Sequence, residues 1–325
     1  MADLKTKFLG LELKNPVIVS SSGLTNSVDK IKRIEDNGAG AVVLKSLFEE
    51  QIRFETGKLA SSSDYPEAED YIRNYVKSSS IEEYLNLIES AKKETNLPII
   101  ASVNCVSARE WVDFSRQMVE AGADALEINV FYLPTKRESS SDVFKNIYFE
   151  LADKLKNTVD IPLLFKLGNN FTNLIEMANQ LFFRGVHGVT LFNRFYEPDI
   201  DIENQKMVSA EVFSSPADIR QSLRWVGIIS GTIPELEVAA STGIHDAVGV
   251  IKQLLAGASV TQLCSVLYKK GPEYLNEVLS GLESWMNKNN YATIADFRGK
   301  MNYSSIADPA QYERSQFMKY FSNYS

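Results

Sequence analysis

Polar residues recur along this chain at the points where short apolar runs end. Eight apolar segments, most of them followed by a stretch of helical periodicity, each close on a polar side chain: Ser20–Ser22, Lys45, Asn104, Asn129, Lys166, Asn193, Thr242 and Ser265. Four of the predicted strands are apolar throughout, as strands of a buried parallel sheet are: Val42–Leu44, Ile99–Ser102, Leu126–Asn129 and Leu163–Lys166. The pattern predicts an α/β fold, a (β/α)8 TIM barrel whose strand ends meet on one face and form the site.

Two segments interrupt this alternation. Residues 46–79 are long, polar and serine-rich, and residues 133–141 carry charge without an apolar pattern. Both follow predicted strand ends, so we expect lid loops over the C-terminal face; the alternative is that both are simply mobile surface loops. Ser80 and Glu83 form a predicted capping box, which indicates that a helix begins there. No internal repeat is evident, and residues 1–325 are predicted to form a single domain.

Composition narrows the class of protein. With 325 residues, 44% of them hydrophobic and 23% charged, the chain has the profile of a soluble globular protein. Its formal net charge of −8 argues against nucleic acid or an anionic membrane as a general partner. The first ten residues lack the apolar core of a signal peptide, and no apolar run approaches the roughly 18 residues that span a bilayer. Two cysteines and two histidines disfavour a disulfide scaffold or a zinc cluster, so we expect a cytoplasmic protein without a metal site.

The loops after the last two predicted strands favour a phosphate site. Ser241, Thr242 and Gly243 follow one strand, and Cys264 and Ser265 follow the other. Small residues let backbone amides approach a ligand, and TIM barrels commonly bind phosphate at the loops after strands seven and eight. Tight packing turns are the alternative explanation for the same residues.

Two lysines and two asparagines end strands around the same face. Lys45 and Lys166 can hold a phosphate or an electron-rich ring, or form a Schiff base with a carbonyl group. The alternative for each lysine alone is a side chain that reaches past the rim into solvent. Asn129 and Asn193 offer donors and acceptors that suit the edge of a planar heterocycle, although each alone is an ordinary loop-capping residue.

Short motifs are spread along the whole chain: Asn15-Pro16 with Ser20–Gly23, Lys45, the EIN segment at 127–129, the PLLFK segment ending at Lys166, Asn193, the STGI loop at 241–244, residues 256–272 and the YATIADFRGK segment at 291–300. Taken jointly, they resemble the dihydroorotate dehydrogenases, and most closely the soluble class 1 enzymes. The resemblance covers nearly the whole chain. It implies a flavoprotein of pyrimidine biosynthesis that works as a homodimer with a soluble electron acceptor.

The resemblance also implies roles for particular residues. Flavin mononucleotide (FMN) would bind across the barrel mouth, with its phosphate on the loops at Ser241–Gly243 and Cys264–Ser265. Lys166 would approach the N1/O2 side of the isoalloxazine ring, where negative charge accumulates on reduction. The residues expected to frame the flavin and the substrate are Ser21, Ser22, Lys45, Asn129 and Asn193.

The sequence departs from the family's pattern in the half of the site that would bind substrate. Tyr132 stands where the family has its catalytic cysteine or serine, and Arg194 replaces the serine expected after Asn193. Residues 59–79 contain no asparagine–glycine segment of the kind that grips the orotate ring. These departures predict a substrate other than dihydroorotate, with Arg194 as a possible anion contact.

The departures also leave the catalytic base open. Tyr132 is one candidate; the serines of the predicted lid, Ser139 and Ser140 with their neighbour Ser141, are the other. Tyrosine has an ordinary pKa near 10, so it would need Lys45 or Arg194 close by to act as a base at neutral pH.

Three functions compete at this point. The leading hypothesis is an FMN-dependent oxidoreductase of the dihydroorotate dehydrogenase type that acts on CH–CH bonds. The second is a lyase or aldolase in which Lys166 forms a Schiff base with a phosphorylated substrate. The third is a flavin-binding relative that has lost catalysis.

Overall fold

The computed structural model describes residues 2–48, 68–105, 108–130, 133, 135, 137, 140–195 and 197–313. Strands in this part of the chain are β1 (Thr6–Phe8), β2 (Leu11–Leu13), β3 (Val17–Val19), β4 (Ala41–Val43), β5 (Leu47–Phe48), β6 (Ile99–Cys105), β7 (Ala125–Val130), β8 (Leu163–Leu167), β9 (Gly188–Leu191), β10 (Pro198–Asp201), β11 (Lys206–Ser209), β12 (Glu237–Ser241) and β13 (Val260–Leu263).

The α-helices of the same residues alternate with these strands. They are α1 (Val28–Asp36), α2 (Ala68–Glu94), α3 (Ala108–Glu120), α4 (Ser141–Lys156), α5 (Leu174–Phe183), α6 (Ile219–Thr232), α7 (Ala247–Ala256), α8 (Ser265–Lys270) and α9 (Tyr274–Lys288). Short 3-10 helices lie at Gly23–Thr25, Pro216–Asp218, Ile294–Asp296 and Pro309–Gln311. None of the described helices is both long enough and apolar enough to cross a membrane.

Within the described residues, eight parallel strands form a closed barrel, which confirms the predicted (β/α)8 fold. Around the barrel the order is β4, β3, β13, β12, β9, β8, β7 and β6, and β4 pairs with β6 to close the ring. Each of these strands is followed by a helix before the next one begins. All carboxyl ends therefore point to the same face.

The barrel interior has an apolar lower layer. Its buried side chains include Ile18, Ile100 and Leu164 from the strands and Phe8 from the β1–β2 hairpin. Because side chains alternate between the two faces of a strand, residues two positions further along also point inward. Those next positions are polar, so the upper part of the interior belongs to the site rather than to the core.

Helix ends follow local rules. The side chain of Asp246 accepts a hydrogen bond from the amide of Gly249 at 2.8 Å and so caps the start of α7. The same helix stops at Gly257, whose φ of 113° is strained for any residue with a side chain. This alternation of capped helices and buried strands sets the strand ends in register at the mouth.

The structure corrects one predicted helix boundary. No helix begins at Ser80, because α2 already starts at Ala68 and continues to Glu94. The predicted loop 46–79 is therefore wrong from Ala68 onward. The part of the helix after Ser80 buries a face that includes Tyr84, Ile88 and Ala91, whose four- and three-residue spacing follows the helical period. The serine and glutamate of the predicted capping box thus lie inside a longer helix.

Candidate active site at the barrel mouth

A buried carboxylate lies at the centre of the barrel interior. Glu127 belongs to β7 and is 0% exposed. Its Oε2 accepts hydrogen bonds from the Gln262 amide at 2.8 Å and from the Thr190 hydroxyl at 3.2 Å. These partners come from β13 and β9, so the carboxylate joins strands from different sides of the ring. Buried carboxylates need such donors, because desolvation without them is costly.

The other oxygen of Glu127 faces the strands that carry the lysine. Lys166 Nζ lies 3.5 Å from Oε1, and the Ser102 hydroxyl lies at the same distance. Lys166 is itself only 6% exposed, so the ion pair is shielded from water. Its cation therefore exerts a stronger field than a surface lysine would.

A chain of hydroxyl groups extends from this pair toward the strand ends. The Ser102 and Ser46 hydroxyls lie 2.8 Å apart, and Ser46 is 3.0 Å from the Ser21 hydroxyl. The amide of Ser46 also donates to Ser21 Oγ at 2.8 Å. This contact fixes the break between β4 and β5, where residue 45 leaves the sheet. Ser21, predicted to frame the flavin, thus also shapes the backbone beside it.

Lys45 lies in that break. It is half-buried, and its ammonium has no hydrogen-bond or ion-pair partner among the described residues. Ser22, from the neighbouring strand end, caps the short helix Gly23–Thr25 by accepting from Leu24 N at 3.2 Å. The lysine is therefore available to an anionic or electron-rich ligand, whereas the Ser22 hydroxyl is partly used by the fold.

The two predicted asparagines meet. Asn193 Nδ2 donates to Asn129 Oδ1 at 3.1 Å. Asn129 is aligned with Lys166 across the β7–β8 pair, and Asn193 N donates to Leu167 O at 2.8 Å. The structure thus brings Asn129, Lys166 and Asn193 together at adjacent strand ends.

The predicted phosphate loop adopts an unusual backbone. Thr242 and Gly243 have φ angles of 73° and 77°, a conformation that L-residues rarely take. The Thr242 hydroxyl donates to Phe192 O at 3.2 Å. A cavity of about 410 Å³ adjoins this turn and is lined by Thr242, Asn193 and Phe192 among others. Ser241, just before the turn, is buried.

A polar cluster that the sequence did not reveal lies beside Ser265. Ser214 N donates to Ser265 Oγ at 3.0 Å, and the Ser214 hydroxyl lies 3.0 Å from His245 Nε2. Lys269 Nζ donates to Ser214 O at 3.4 Å. Burial, and then the charge of Lys269, lower the pKa of His245. Lys269 is thus the cation of this cluster, while the carboxylates of Asp218 and Asp246 act on His245 in the opposite direction.

Cys264 precedes α8 at the same rim. Burial raises the pKa of its thiol above the ordinary value, while a hydrogen bond with Ser22 and the charge of Lys166 act in the opposite direction. The net rise keeps the thiol protonated at neutral pH. Cys264 therefore offers a backbone amide and a small neutral side chain rather than a nucleophile.

Arg194 makes contacts within its own loop. Its guanidinium donates to Glu211 O at 2.7 Å and to Val212 O, and it lies 3.3 Å from Glu197 Oε2. These contacts tie the segment after the β10–β11 hairpin to the end of β9. The substrate-binding role of Arg194 stays a prediction, and the guanidinium is not free to turn as a whole toward a ligand.

The candidate bases divide between described and undescribed residues. Tyr132 and Ser139 lie outside the described residues. Ser140 is exposed and accepts from Asp142 N at 3.2 Å as the cap of α4. The structure thus assigns Ser140 a helix-capping contact, and which residue acts as the base stays a prediction.

Sequence reasoning missed Glu127, Gln262, Thr190 and Ser102. Each is a polar residue inside an otherwise apolar strand, and each is almost completely buried. For Ser102 and Glu127 the signal was present, because each stands two positions before a strand-end residue, Asn104 or Asn129, and so points to the same face. All four residues lie inside strands rather than at strand ends, so the strand-end pattern did not include them.

The donor set fits a flavin nucleotide. Two lysines and two carboxamides can contact the polar edges of the ring, and the small residues of the last two strand ends, with Lys269 nearby, can bind a phosphate through backbone amides. Both groups of residues lie at carboxyl ends of barrel strands, where ligands of such barrels bind. The fit rests on the chemistry of these residues and on their shared face.

Comparison with known proteins identifies the family to which the chain belongs. The family model described as "Dihydroorotate dehydrogenase" matches residues 3–286. A dihydroorotate dehydrogenase B (NAD(+)), catalytic subunit, from Thermoplasma volcanium is 29% identical, with 92% of this chain and 98% of that protein covered. Proteins of the same name from Thermoplasma acidophilum and Methanocaldococcus jannaschii are 28% and 26% identical; the matches cover 92% and 88% of this chain, and 99% and 94% of theirs.

Proposed function

The chain belongs to the dihydroorotate dehydrogenase family and is an oxidoreductase of that type, and we propose that it uses FMN to oxidise a CH–CH bond in a substrate other than dihydroorotate. The observation that carries the proposal is the meeting of Asn129, Lys166 and Asn193 at adjacent strand ends. Family membership favours this proposal over the lyase.

The FMN assignment is supported by two groups of residues. The turn at Thr242 and Gly243 and the start of α8 at Ser265 would hold the phosphate through backbone amides. Lys166 would serve the N1/O2 edge of the ring, and Lys45 and the two asparagines would serve its remaining polar edges. Bound FMN supplies the acceptor for a hydride equivalent.

When the flavin takes a hydride from one carbon of the CH–CH bond, a residue of the chain has to remove the proton from the other carbon. Tyr132 occupies the family's base position in the sequence and is our first candidate. Arg194 is held by Glu197 and two carbonyl groups, whereas Lys45 has no partner among the described residues, so Lys45 is the cation that is free to interact with a base. The lid serines are the second candidate.

The substrate half of the site supports a substrate unlike dihydroorotate. Tyr132 is larger than the cysteine or serine of the family, and Arg194 replaces a serine. A site that lacks partners for a ligand's polar edges rejects that ligand strongly. We infer a smaller or differently substituted unsaturated product.

The cofactor assignment can be tested on the purified protein. Apoprotein titrated with FMN should bind it with quenching of flavin fluorescence, and riboflavin should bind more weakly because it lacks the phosphate. The Gly243→Ala variant should lose most of that preference for FMN. A wild-type protein that has no flavin spectrum as isolated and takes up no added FMN would refute the proposal.

The lyase alternative requires Lys166 as a neutral amine, because only the neutral form attacks a carbonyl. In this structure Nζ lies 3.5 Å from the carboxylate of Glu127, in an ion pair rather than free to attack a carbonyl group. Borohydride trapping with a panel of sugar phosphates tests this directly. A stable adduct on Lys166 would favour the lyase.

Turnover of any enone or dihydropyrimidine would exclude the third hypothesis, a flavin-binding relative that has lost catalysis.

The described surface also supports a homodimer. Four apolar side chains on and after the β10–β11 hairpin are more than half exposed: Ile200, Ile202, Met207 and Val212. Clustered exposed apolar residues mark interfaces.

The relatives are named catalytic subunits, so a second protein could take the electrons in place of a small soluble acceptor. Light scattering of wild type and Ile202→Glu tests the dimer: a monomeric wild type would refute it.

A further inference from the structure

The two oxygens of the Glu127 carboxylate have different partners. Oε2 accepts hydrogen bonds from neutral donors, and Oε1 faces the ammonium of Lys166. Gln262 and Thr190 donate to Oε2 at 2.8 and 3.2 Å, which fixes the group with neutral donors. Gln262 is in turn held by the Ser20 hydroxyl, which donates to its Oε1 at 3.1 Å. The remaining oxygen, Oε1, lies 3.5 Å from Lys166 Nζ and 3.5 Å from the Ser102 hydroxyl. The carboxylate is therefore fixed independently of the lysine.

Lys166 depends on that carboxylate. Among the described residues, Glu127 is the only partner of its ammonium, and the side chain is only 7% exposed. A buried ammonium without a counter-ion is costly and tends to lose its proton. Among the described residues, the position of the Lys166 ammonium thus rests on one neighbour.

We propose that Glu127 is a positioning residue whose fixed carboxylate pairs with the Lys166 ammonium and fixes its position at the base of the barrel mouth. Its significance for catalysis rests on the proposed function, in which Lys166 serves the electron-rich edge of the flavin. Glu127 itself lies below the mouth and touches neither flavin nor substrate in this proposal. It acts through Lys166.

Other titratable groups near the pair do not substitute for it. Tyr84, on α2, contacts the backbone of Ser102, and burial together with the charge of Glu127 raises the pKa of its hydroxyl. Burial also raises the pKa of the Cys264 thiol, which is close enough to Lys166 to be affected by its charge. Both groups are neutral at pH 7 to 8, so Glu127 is the anion that Lys166 faces in the described residues.

The first test uses apoprotein and needs no flavin. Acetic anhydride acetylates only the neutral form of a lysine, and mass spectrometry can compare Lys166 with the exposed Lys252 in the same sample between pH 7 and 10. We expect E127Q to increase the relative acetylation of Lys166 at pH 8 by about tenfold, the factor that corresponds to about 1.4 kcal/mol. Gln253→Met removes a buried amide elsewhere and should leave Lys166 unchanged.

A second variant covers the case in which E127Q does not fold. Glu127→Asp keeps the charge but shortens the side chain, so it should give an intermediate increase in Lys166 acetylation. Unchanged acetylation of Lys166 in the folded Glu127 variants would overturn the proposal. An equal increase in Gln253→Met would also overturn it, because the effect would then be a general loosening of the barrel.

The second test asks whether the pair matters for the flavin. FMN dissociation constants are measured for wild type, Lys166→Met, E127Q and the double variant. We expect Lys166→Met to weaken binding about tenfold in the wild-type background and less than about threefold in E127Q, since neighbours that act together are not additive. Equal factors in both backgrounds would overturn the role toward the flavin. A wild type that binds no FMN would instead refute the proposed function, and the acetylation result alone would then decide the role of Glu127 toward Lys166.

Discussion

The side chains of Asn193 and Asn129 are joined by a hydrogen bond of 3.1 Å between the ends of β9 and β7. These two strands are not neighbours in the barrel, because β8 lies between them. The contact therefore spans the strand that carries Lys166. It fixes two carboxamide groups on either side of the proposed flavin-binding cation.

Replacing Asn193 by alanine should weaken FMN binding. The change removes the donor to Asn129 Oδ1 and leaves that oxygen free to rotate away. A hydrogen bond of this kind contributes about 1 kcal/mol, or roughly fivefold in the dissociation constant. Fluorescence titration measures it. Asn289→Ala, which removes a 2.8 Å side-chain hydrogen bond on the surface, should leave FMN affinity unchanged; an equal loss in both variants would contradict the prediction.

Gly243→Ala should disrupt the turn of the proposed phosphate site. A Cβ on Gly243 would lie 2.1 Å from Ile219 N, and the φ of 77° adds a cost of about 1–2 kcal/mol for any L-residue. Gly10→Ala is the matched control, because Gly10 has a φ of 74° but no atom within 4 Å of the added Cβ. Urea unfolding and FMN titration should show a larger loss for Gly243→Ala in both measurements. Equal losses would mean that the backbone angle alone matters.

Lys166→Ala should slow flavin reduction as well as weaken flavin binding. A preorganised cation beside the site of developing negative charge typically contributes about 3 kcal/mol to the transition state. Stopped-flow reduction of the bound flavin measures the rate, and Lys252→Ala, at an exposed position on α7, is the control. Unchanged flavin content together with an unchanged reduction rate would show that Lys166 serves another purpose.

Dihydroorotate should be oxidised slowly or not at all by protein saturated with FMN. The base expected by the family is replaced by Tyr132, and the asparagine–glycine segment that grips the orotate ring is absent from residues 59–79, so part of the ring's polar edge would lack partners. Turnover is followed by flavin bleaching under anaerobic conditions. Robust turnover that is abolished by Tyr132→Phe would contradict the prediction and make Tyr132 the base. Turnover that is lost only when Ser139, Ser140 and Ser141 are replaced by alanine would assign the base to that segment.

His187 should make the protein less stable in acid. Its Nδ1 accepts from Leu163 N at 3.2 Å, and burial lowers the pKa of the ring below 6.5. As the pH falls, the unfolded chain therefore takes up a proton on His187 at a higher pH than the folded chain does. The contribution of neutral His187 to the free energy of unfolding is present above about pH 6.5 and is lost as the pH falls below that value. His187→Asn keeps an acceptor that does not titrate. The free energy of unfolding should therefore fall less between pH 7 and pH 5 in this variant; an identical fall would refute the role of His187.

The order of strands and helices could be predicted from the sequence, because a buried element needs apolar residues at positions that repeat along the chain. A parallel strand that is covered on both faces must be apolar along its length, so β6, β7 and β8 were visible as short apolar runs. Lys166 and Asn129 were visible as the polar residues that end them. The predicted boundary at Ser80 was wrong, because a serine followed three positions later by a glutamate can also lie inside a longer helix, as it does in α2.

The sequence by itself determined which residues stand at the strand ends and that the chain alternates strand and helix. Only the tertiary structure decided which interior residues meet. Glu127 lies 135 positions from Gln262 and 63 from Thr190 in the chain, yet both donate to its carboxylate. Those pairs exist because the sheet closes on itself and brings β7, β9 and β13 around one interior. Local periodicity carries no information about that closure, whereas the positions of buried donors depend on it completely.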